Sequence, residues 1–249
     1  GTPYYEQTRA EAMFCTEAQA QAAGYRFALL FDQDSEPGPG FVTALHSAYE
    51  QALSLGPVAA IGPRIRHPDN GRVMPFKRFD RLLFRSDSNA AAGLFHTDFL
   101  ISSGTLLPLD MLETIGLMKE DYFIDNIDLE WCFRARALGF ALYGTDRAVL
   151  DHRIGEAGTG KLQQMGLMVN HSPLRSYYST RNRINLYGKP YAPLQWKMRD
   201  ICRFLLKSAW LLLFSGARGD YWREIRRGIA ARPSGLTSVT SQTSARASA

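Results

Sequence analysis

Tyr25-Arg26-Phe27-Ala28-Leu29-Leu30-Phe31-Asp32-Gln33-Asp34 is a short apolar run that stops abruptly on two carboxylates. A run of this kind reads as a buried parallel strand with polar residues at its carboxyl end. In open α/β sheets that end is where ligands sit. Upstream, the Ala- and Gln-rich stretch 11–23 reads as a helix closed by Gly24, a residue suited to the left-handed position after a helix. Downstream, Pro37-Gly38-Pro39-Gly40 makes a loop, Phe41–Leu53 has helical periodicity, and Val58-Ala59-Ala60-Ile61-Gly62 is the next strand. Residues 64–90 are irregular, basic and aromatic, and are assigned to a strand-and-loop excursion. Residues 110–116 and 128–138 read as helices, the second with Leu129, Cys132 and Phe133 on one face, and two strands at 141–143 and 148–150 lead to Asp151-His152. The class is α/β, with a mostly parallel sheet flanked by helices.

With 249 residues and 45% hydrophobic content, the chain can bury one substantial core. Cys15, Cys132 and Cys202 are odd in number, far apart and without paired spacing, so the sequence suggests neither a disulfide framework nor a thiolate zinc site, and a reducing cytoplasm is the expected setting. No secretion signal is visible at the start of the sequence. The net charge of +5 conceals an asymmetry: residues 1–174 carry 15 Lys and Arg against 21 Asp and Glu, and residues 175–249 carry 14 against 3. The basic end can attract phosphate-bearing partners, and composition alone does not choose among anionic lipid, nucleotide and nucleic acid.

Three constellations can carry chemistry. Asp32 and Asp34, one residue apart after the strand, can converge on one hard divalent cation that keeps open positions for phosphate oxygens; the plainer reading is a solvated turn capping the next helix. Asp125, Asp128 and Glu130 cluster at a helix start, where carboxylates suit the dipole, but three acids exceed what capping needs. Glu130 can pair with Arg134 one turn on, and one acid is left to take a proton from a hydroxyl. Arg175, Arg181 and Arg183, interleaved with Tyr177 and Tyr178, can clamp a diphosphate or form a solvated helix face. His152 is structural, a metal ligand or a donor to phosphate.

The order of these pieces is more specific than any one of them. Leu29-Leu30-Phe31-Asp32-Gln33-Asp34-Ser35, then Ile101-Ser102-Ser103-Gly104, then Phe123-Ile124-Asp125 with Asp128-Leu129-Glu130-Trp131 and Arg134, then His152, then Arg175, Tyr177-Tyr178 and Arg181-Asn182, resembles the rhamnosyltransferases of glycosyltransferase family 2. The resemblance runs from about Gly24 to about Asn182. It implies a Rossmann-like GT-A fold, an inverting mechanism, a nucleotide-sugar donor such as dTDP-rhamnose, and Mg2+ or Mn2+. On that reading Asp128 is the catalytic base. Asp32, Asp34, Ser103, Gly104 and Arg181 bind the donor, Asp125, Glu130 and Trp131 support the acceptor side, and Asp32, Asp34 and His152 hold the metal. The implied acceptor is a hydroxyl of a cell-surface polysaccharide or lipid-linked glycan precursor.

The family begins with a strand, a glycine-rich turn and a second strand, whereas this sequence opens at the helix before Asp32, so the amino-terminal strands are expected to be missing from a fragment. The expected organisation is a catalytic domain over 1–190, an amphipathic basic helical extension over 191–232 and a disordered tail over 233–249. Residues 196–227 interleave apolar anchors (Trp196, Ile201, Phe204, Leu205, Trp210, Leu211) with Lys197, Arg199, Arg203, Lys207, Arg223, Arg226 and Arg227. This pattern points to peripheral contact with the inner face of the cytoplasmic membrane rather than to a span. The competing readings are a nucleic-acid-binding module, for which no recognised motif is present, and a nucleotidyltransferase acting on nucleotide sugars.

Overall fold

The apolar runs pair as strands and the periodic runs wind into helices, in an order that a computed structural model describes for residues 17–79, 93–153 and 172–231. The elements are α1 (Glu17–Ala22), β1 (Phe27–Leu29), β2 (Ser35–Pro37), α2 (Phe41–Leu53), β3 (Val58–Arg66), β4 (Leu94–Thr97), β5 (Leu106–Pro108), α3 (Leu109–Ile115), a 3₁₀ turn at Glu120–Tyr122, α4 (Ile127–Ala137), β6 (Ala141–His152), α5 (Pro173–Tyr187), α6 (Leu194–Phe214) and α7 (Arg218–Ala230). The tail from 233, most of the excursion beyond Phe79 and the start of the first helix lie outside the described residues.

One mixed sheet runs in the order β1-β5-β3-β6-β2, with β4 also paired to β6. The α/β class holds, but the expected mostly parallel pairing is corrected: only β3 and β6 pair in parallel, and the other four pairings are antiparallel. The strands β1, β3 and β6 do point the same way, and antiparallel β5 is inserted between the first two. Helix α2 supplies the crossover that keeps β1 and β3 parallel, whereas β4 and β5 both run against them, so both pairings of the inserted β5 are antiparallel. The strand β1 is therefore half-buried at the sheet's edge rather than enclosed, and β6 is one continuous strand where two were expected.

Helix α2 covers one face of the sheet through Phe41, Leu45, Ala48 and Tyr49, which pack on Val58, Ile61 and Ile65. Helices α3 and α4 cover the other through Leu109, Leu112, Ile115, Trp131 and Cys132. Each large apolar side chain so buried contributes about 1.5–3 kcal/mol. A third cluster lies behind α4, where Phe133 meets Phe79, Leu186, Ala192 and Trp196. It ties α5 and α6 to the sheet domain, so the helices after 190 rest on the core rather than hang from it. Cys132 is buried, Cys202 is exposed, and both are free thiols.

Candidate functional site

Two strand registers assemble the site. Strand β1 pairs with β5 so that Leu29 faces Leu106, and the same register carried beyond both strands sets Asp32 beside Ser103. The Asp32 amide donates to Ser103 Oγ at 3.1 Å. Strand β2 pairs with the end of β6, which sets Ser35 opposite His152. The Ser35 hydroxyl lies 2.6 Å from Ser103 Oγ and 2.9 Å from His152 Nδ1. This serine therefore joins the two registers and fixes the imidazole. His152 Nδ1 is 3.2 Å from Asp34 Oδ1, and Nε2 is 3.5 Å from Asp32 Oδ2.

The candidate ligand atoms of Asp32, Asp34 and His152 all lie within 4.8 Å of one another. The histidine is buried and the two aspartates are exposed to a cleft, so one enclosed nitrogen and two solvent-accessible carboxylates face the same space. The donor set fits a divalent cation: two hard oxygen ligands and one imidazole, with open positions left toward the cleft. A ring held at one nitrogen by a hydroxyl, with the other free to ligate, is the usual arrangement of a metal-binding histidine.

Asp128 enters the same cleft from the second position of α4. The backbone leading to it is unusual, because Phe123, Asp125 and Asn126 have φ of 58°, 65° and 63°. Non-glycine residues in the left-handed region cost on the order of 1–3 kcal/mol each and persist only where surroundings hold them. Here the holder is Asn182 on α5. Its buried amide nitrogen donates to the carbonyls of Tyr122, Ile124 and Asp125 at 2.7, 2.8 and 2.9 Å. Two N–H groups serve three acceptors, so one bond is shared. Arg175 adds a bidentate pair to Asp125 at 3.2 and 2.8 Å, and the Tyr122 hydroxyl donates to Asn185 at 2.7 Å. Burial pushes the Asp128 carboxyl up to about 6; hydrogen bonds from Ser102 pull against the shift, and the charges of Asp32 and Asp125 add to it. A carboxyl at that value is ionised at neutral pH and still basic enough to accept a proton.

The cleft has a volume of about 830 Å³ and is lined by Phe31, Asp32, Gln33, Asp34, Ile101, Ser102, Ile124, Asp128, His152, Arg153 and Arg175. The structure thus brings together Asp32, Asp34, His152 and Asp128, with Asp125 just behind. The remaining candidates stand elsewhere. Ser103 is buried beneath the Asp32 turn. Gly104 has φ of 78°, and a Cβ there would come within 2.7 Å of Pro63 and 2.8 Å of Leu150, so its place is tight packing rather than the cleft wall. The Arg181 guanidinium is engaged by Asn182 Oδ1 at 3.0 Å and by the Asp121 carbonyl. Glu130 is fully buried between Arg134 and Tyr191, whose hydroxyl donates to it at 2.5 Å, and Trp131 donates to the Gly116 carbonyl at 2.9 Å. Sequence reasoning gave no site role to Ser35 or Arg153. Ser35 stands in the quoted motif, but its role as a bridge depends on a partner 117 residues away.

No protein-family model matches the chain. It is 28% identical over 236 residues to the dTDP-rhamnosyl transferase RfbF of Shigella flexneri, which takes in 90% of this chain and 76% of that protein. Among solved structures it is similar to GalNAc-T7, crystallised with UDP, GalNAc and Mn2+, with a TM-score of 0.41 and 11% identity over 78% of this chain. The chain spans 41% of the length of that structure.

Proposed function

We propose that this chain, a rhamnosyltransferase-like glycosyltransferase, moves a sugar from a nucleoside diphosphate to a hydroxyl with inversion at the anomeric carbon. The observation that carries the reading is a single cleft in which three candidate metal ligands stand beside a separate carboxyl held near 6. The Asp128 carboxylate accepts the proton of the acceptor hydroxyl. The oxygen of that acceptor hydroxyl attacks the anomeric carbon as the bond from this carbon to the diphosphate breaks, so the pair of electrons leaves with the diphosphate. Asp32, Asp34 and His152 would hold a divalent cation, Mn2+ or Mg2+, which would supply positive charge against the departing diphosphate. The imidazole favours the softer Mn2+ of the two.

The donor we propose is dTDP-rhamnose, which the Shigella relative's name supports. The proposed acceptor is a glycan hydroxyl, lipid-linked or free. Ser102, within hydrogen-bonding reach of Asp128, holds the base toward the acceptor. The test is Asp128→Asn, which removes the proton acceptor and little volume. Transfer is expected to fall by about 100-fold or more while nucleoside diphosphate binding stays near that of the parent. Transfer within about tenfold of the parent would remove Asp128 as the base.

A further inference from the structure

Helix α6 is inside out for a surface helix. At 3.6 residues per turn, Leu194, Met198, Ile201, Leu205, Leu206 and Leu213 share an arc of about 140°. All six are exposed, between 39% for Ile201 and 71% for Leu206. Every Lys and Arg of the helix (Lys197, Arg199, Arg203 and Lys207) falls outside that arc. Trp196 and Leu211, expected from the sequence as membrane anchors, are instead buried against the body, and Arg183 lies over Phe204 at 5.0 Å. The apolar outer face is thus made by residues other than most of those expected. An uncharged patch of this size on an otherwise polar surface marks an interaction site.

Charge decides among occupants. Helix α7 packs beside α6 and presents Arg218, Arg223 and Arg226 to solvent, with Trp222 half exposed and the Arg226 guanidinium over its ring at 5.7 Å. The residues from 175 onward carry 14 Lys and Arg against 3 acids. An apolar protein groove gains nothing from these cations, whereas an anionic bilayer uses both features at once. Among the described residues, no helix is long and apolar enough to cross a membrane.

We propose that the outer face of α6, together with the exposed Arg and Trp side chains of α7, docks flat on an anionic lipid bilayer. The opposite side of α6 carries Lys207, which feels the charges of Asp125 and Arg175 at the cleft. The bilayer surface therefore lies about one helix diameter, ~10 Å, from the cleft wall. That distance suits a lipid-linked acceptor, a step that rests on the glycosyltransferase reading; docking itself does not.

The experiment is flotation of the full chain with vesicles of phosphatidylcholine alone and of phosphatidylcholine with phosphatidylglycerol, at low and high salt. The parent is expected to float with the anionic vesicles, partly resisting salt. Leu205→Glu/Leu206→Glu should lower binding about tenfold or more with an unchanged thermal midpoint, since both side chains are solvent-exposed. Arg223→Glu/Arg226→Glu should remove the salt-sensitive part, roughly fivefold per charge. If the first variant unfolds, Leu205→Gln/Leu213→Gln replaces it. A parent that does not float, or a leucine variant that floats like the parent, overturns the proposal. So does a parent dimer in sedimentation that the leucine variant converts to monomer, which would make the face a self-interface. Flotation does not read transfer, so docking and catalysis fail separately.

Discussion

At the scale of single residues, the site turns on Ser35 as much as on the acids it serves. Its hydroxyl bridges Ser103 and His152 and so sets the ring that faces both aspartates. Ser35→Ala is expected to weaken Mn2+ binding about tenfold or more while leaving the fold intact, read by titration of free Mn2+ in spin resonance. Unchanged affinity would show that β-strand pairing alone positions the imidazole. Asp128 allows a test with a definite sign. Its folded carboxyl, held near 6, lies above an ordinary value of about 4, so the ionised form costs stability at neutral pH. Asp128→Asn should therefore be more stable than the parent at pH 7, by roughly 1–2 kcal/mol after discounting for partial exposure. The gain should shrink as pH falls through about 6 and vanish below about 4. A constant difference at all pH values would exclude titration as the cause. The rate should fall in the same window, because protonation removes the base. Asp32, Asp34 and Asp128 were legible in the sequence because each breaks an apolar or periodic pattern at an element's end. The serine was not, because its role is set by register and not by its neighbours.

At the scale of elements, the decisive piece is the left-handed turn 123–126 and the helix that holds it. From sequence Arg175, Arg181 and Arg183 could clamp a diphosphate or form a solvated helix face, with no role for Asn182; in the fold that asparagine ties α5 to three carbonyls before α4. Asn182→Ala leaves those carbonyls without partners and should cost about 1–3 kcal/mol of stability. Released strain would let Asp128 move, so kcat is expected to fall by tenfold or more with little change in the KM for donor, which separates positioning from donor binding. An equal loss in donor affinity would show that Asn182 acts through donor binding rather than through the position of Asp128. Helices α2 and α4 were readable to within a residue, α2 from its apolar periodicity and α4 from its acidic start and the glycine that closes it. The single apolar face expected of α4 is corrected, since Cys132 packs toward the sheet while Leu129 and Phe133 pack on the opposite cluster. The strands β2 and β4, three and four residues long, were not, since such short segments become strands only when β6 lies beside them. The mostly parallel expectation failed for the same reason: apolar runs reveal burial but not direction.

At the scale of the whole molecule, the expected boundary near 190 divides what the packing joins. The Tyr191 hydroxyl donates to buried Glu130, and Trp196 is 5% exposed against Phe133, with ring centroids 5.3 Å apart. Farther on, Gly228 of α7 lies so near α5 that a Cβ would sit 2.7 Å from the Tyr177 carbonyl, and the Arg227 guanidinium stacks over the Tyr177 ring at 5.1 Å. The chain of contacts therefore runs from α7 through α5 to Asn182 and on to the turn before Asp128. It follows that residues 191–231 pack behind the elements that position Asp128 as well as facing outward. A version ending at Pro193 removes Trp196 and all of α7, and loss of a buried tryptophan alone costs about 3–5 kcal/mol. Against a typical total of about 5–15 kcal/mol, that version should unfold at a much lower urea midpoint or fail to fold. Trp196→Phe, which keeps an aromatic ring in the pocket, should cost far less. Urea unfolding followed by far-UV dichroism and tryptophan emission reads both. A midpoint for the shortened chain equal to that of the parent would restore the boundary near 190 and make α6 and α7 a separate attachment. A single cooperative transition in the full chain, with a large drop on truncation, would mean that α6, α7 and the cleft fold as one unit. Lipid docking must then be probed by point substitutions on the outer face rather than by deletion.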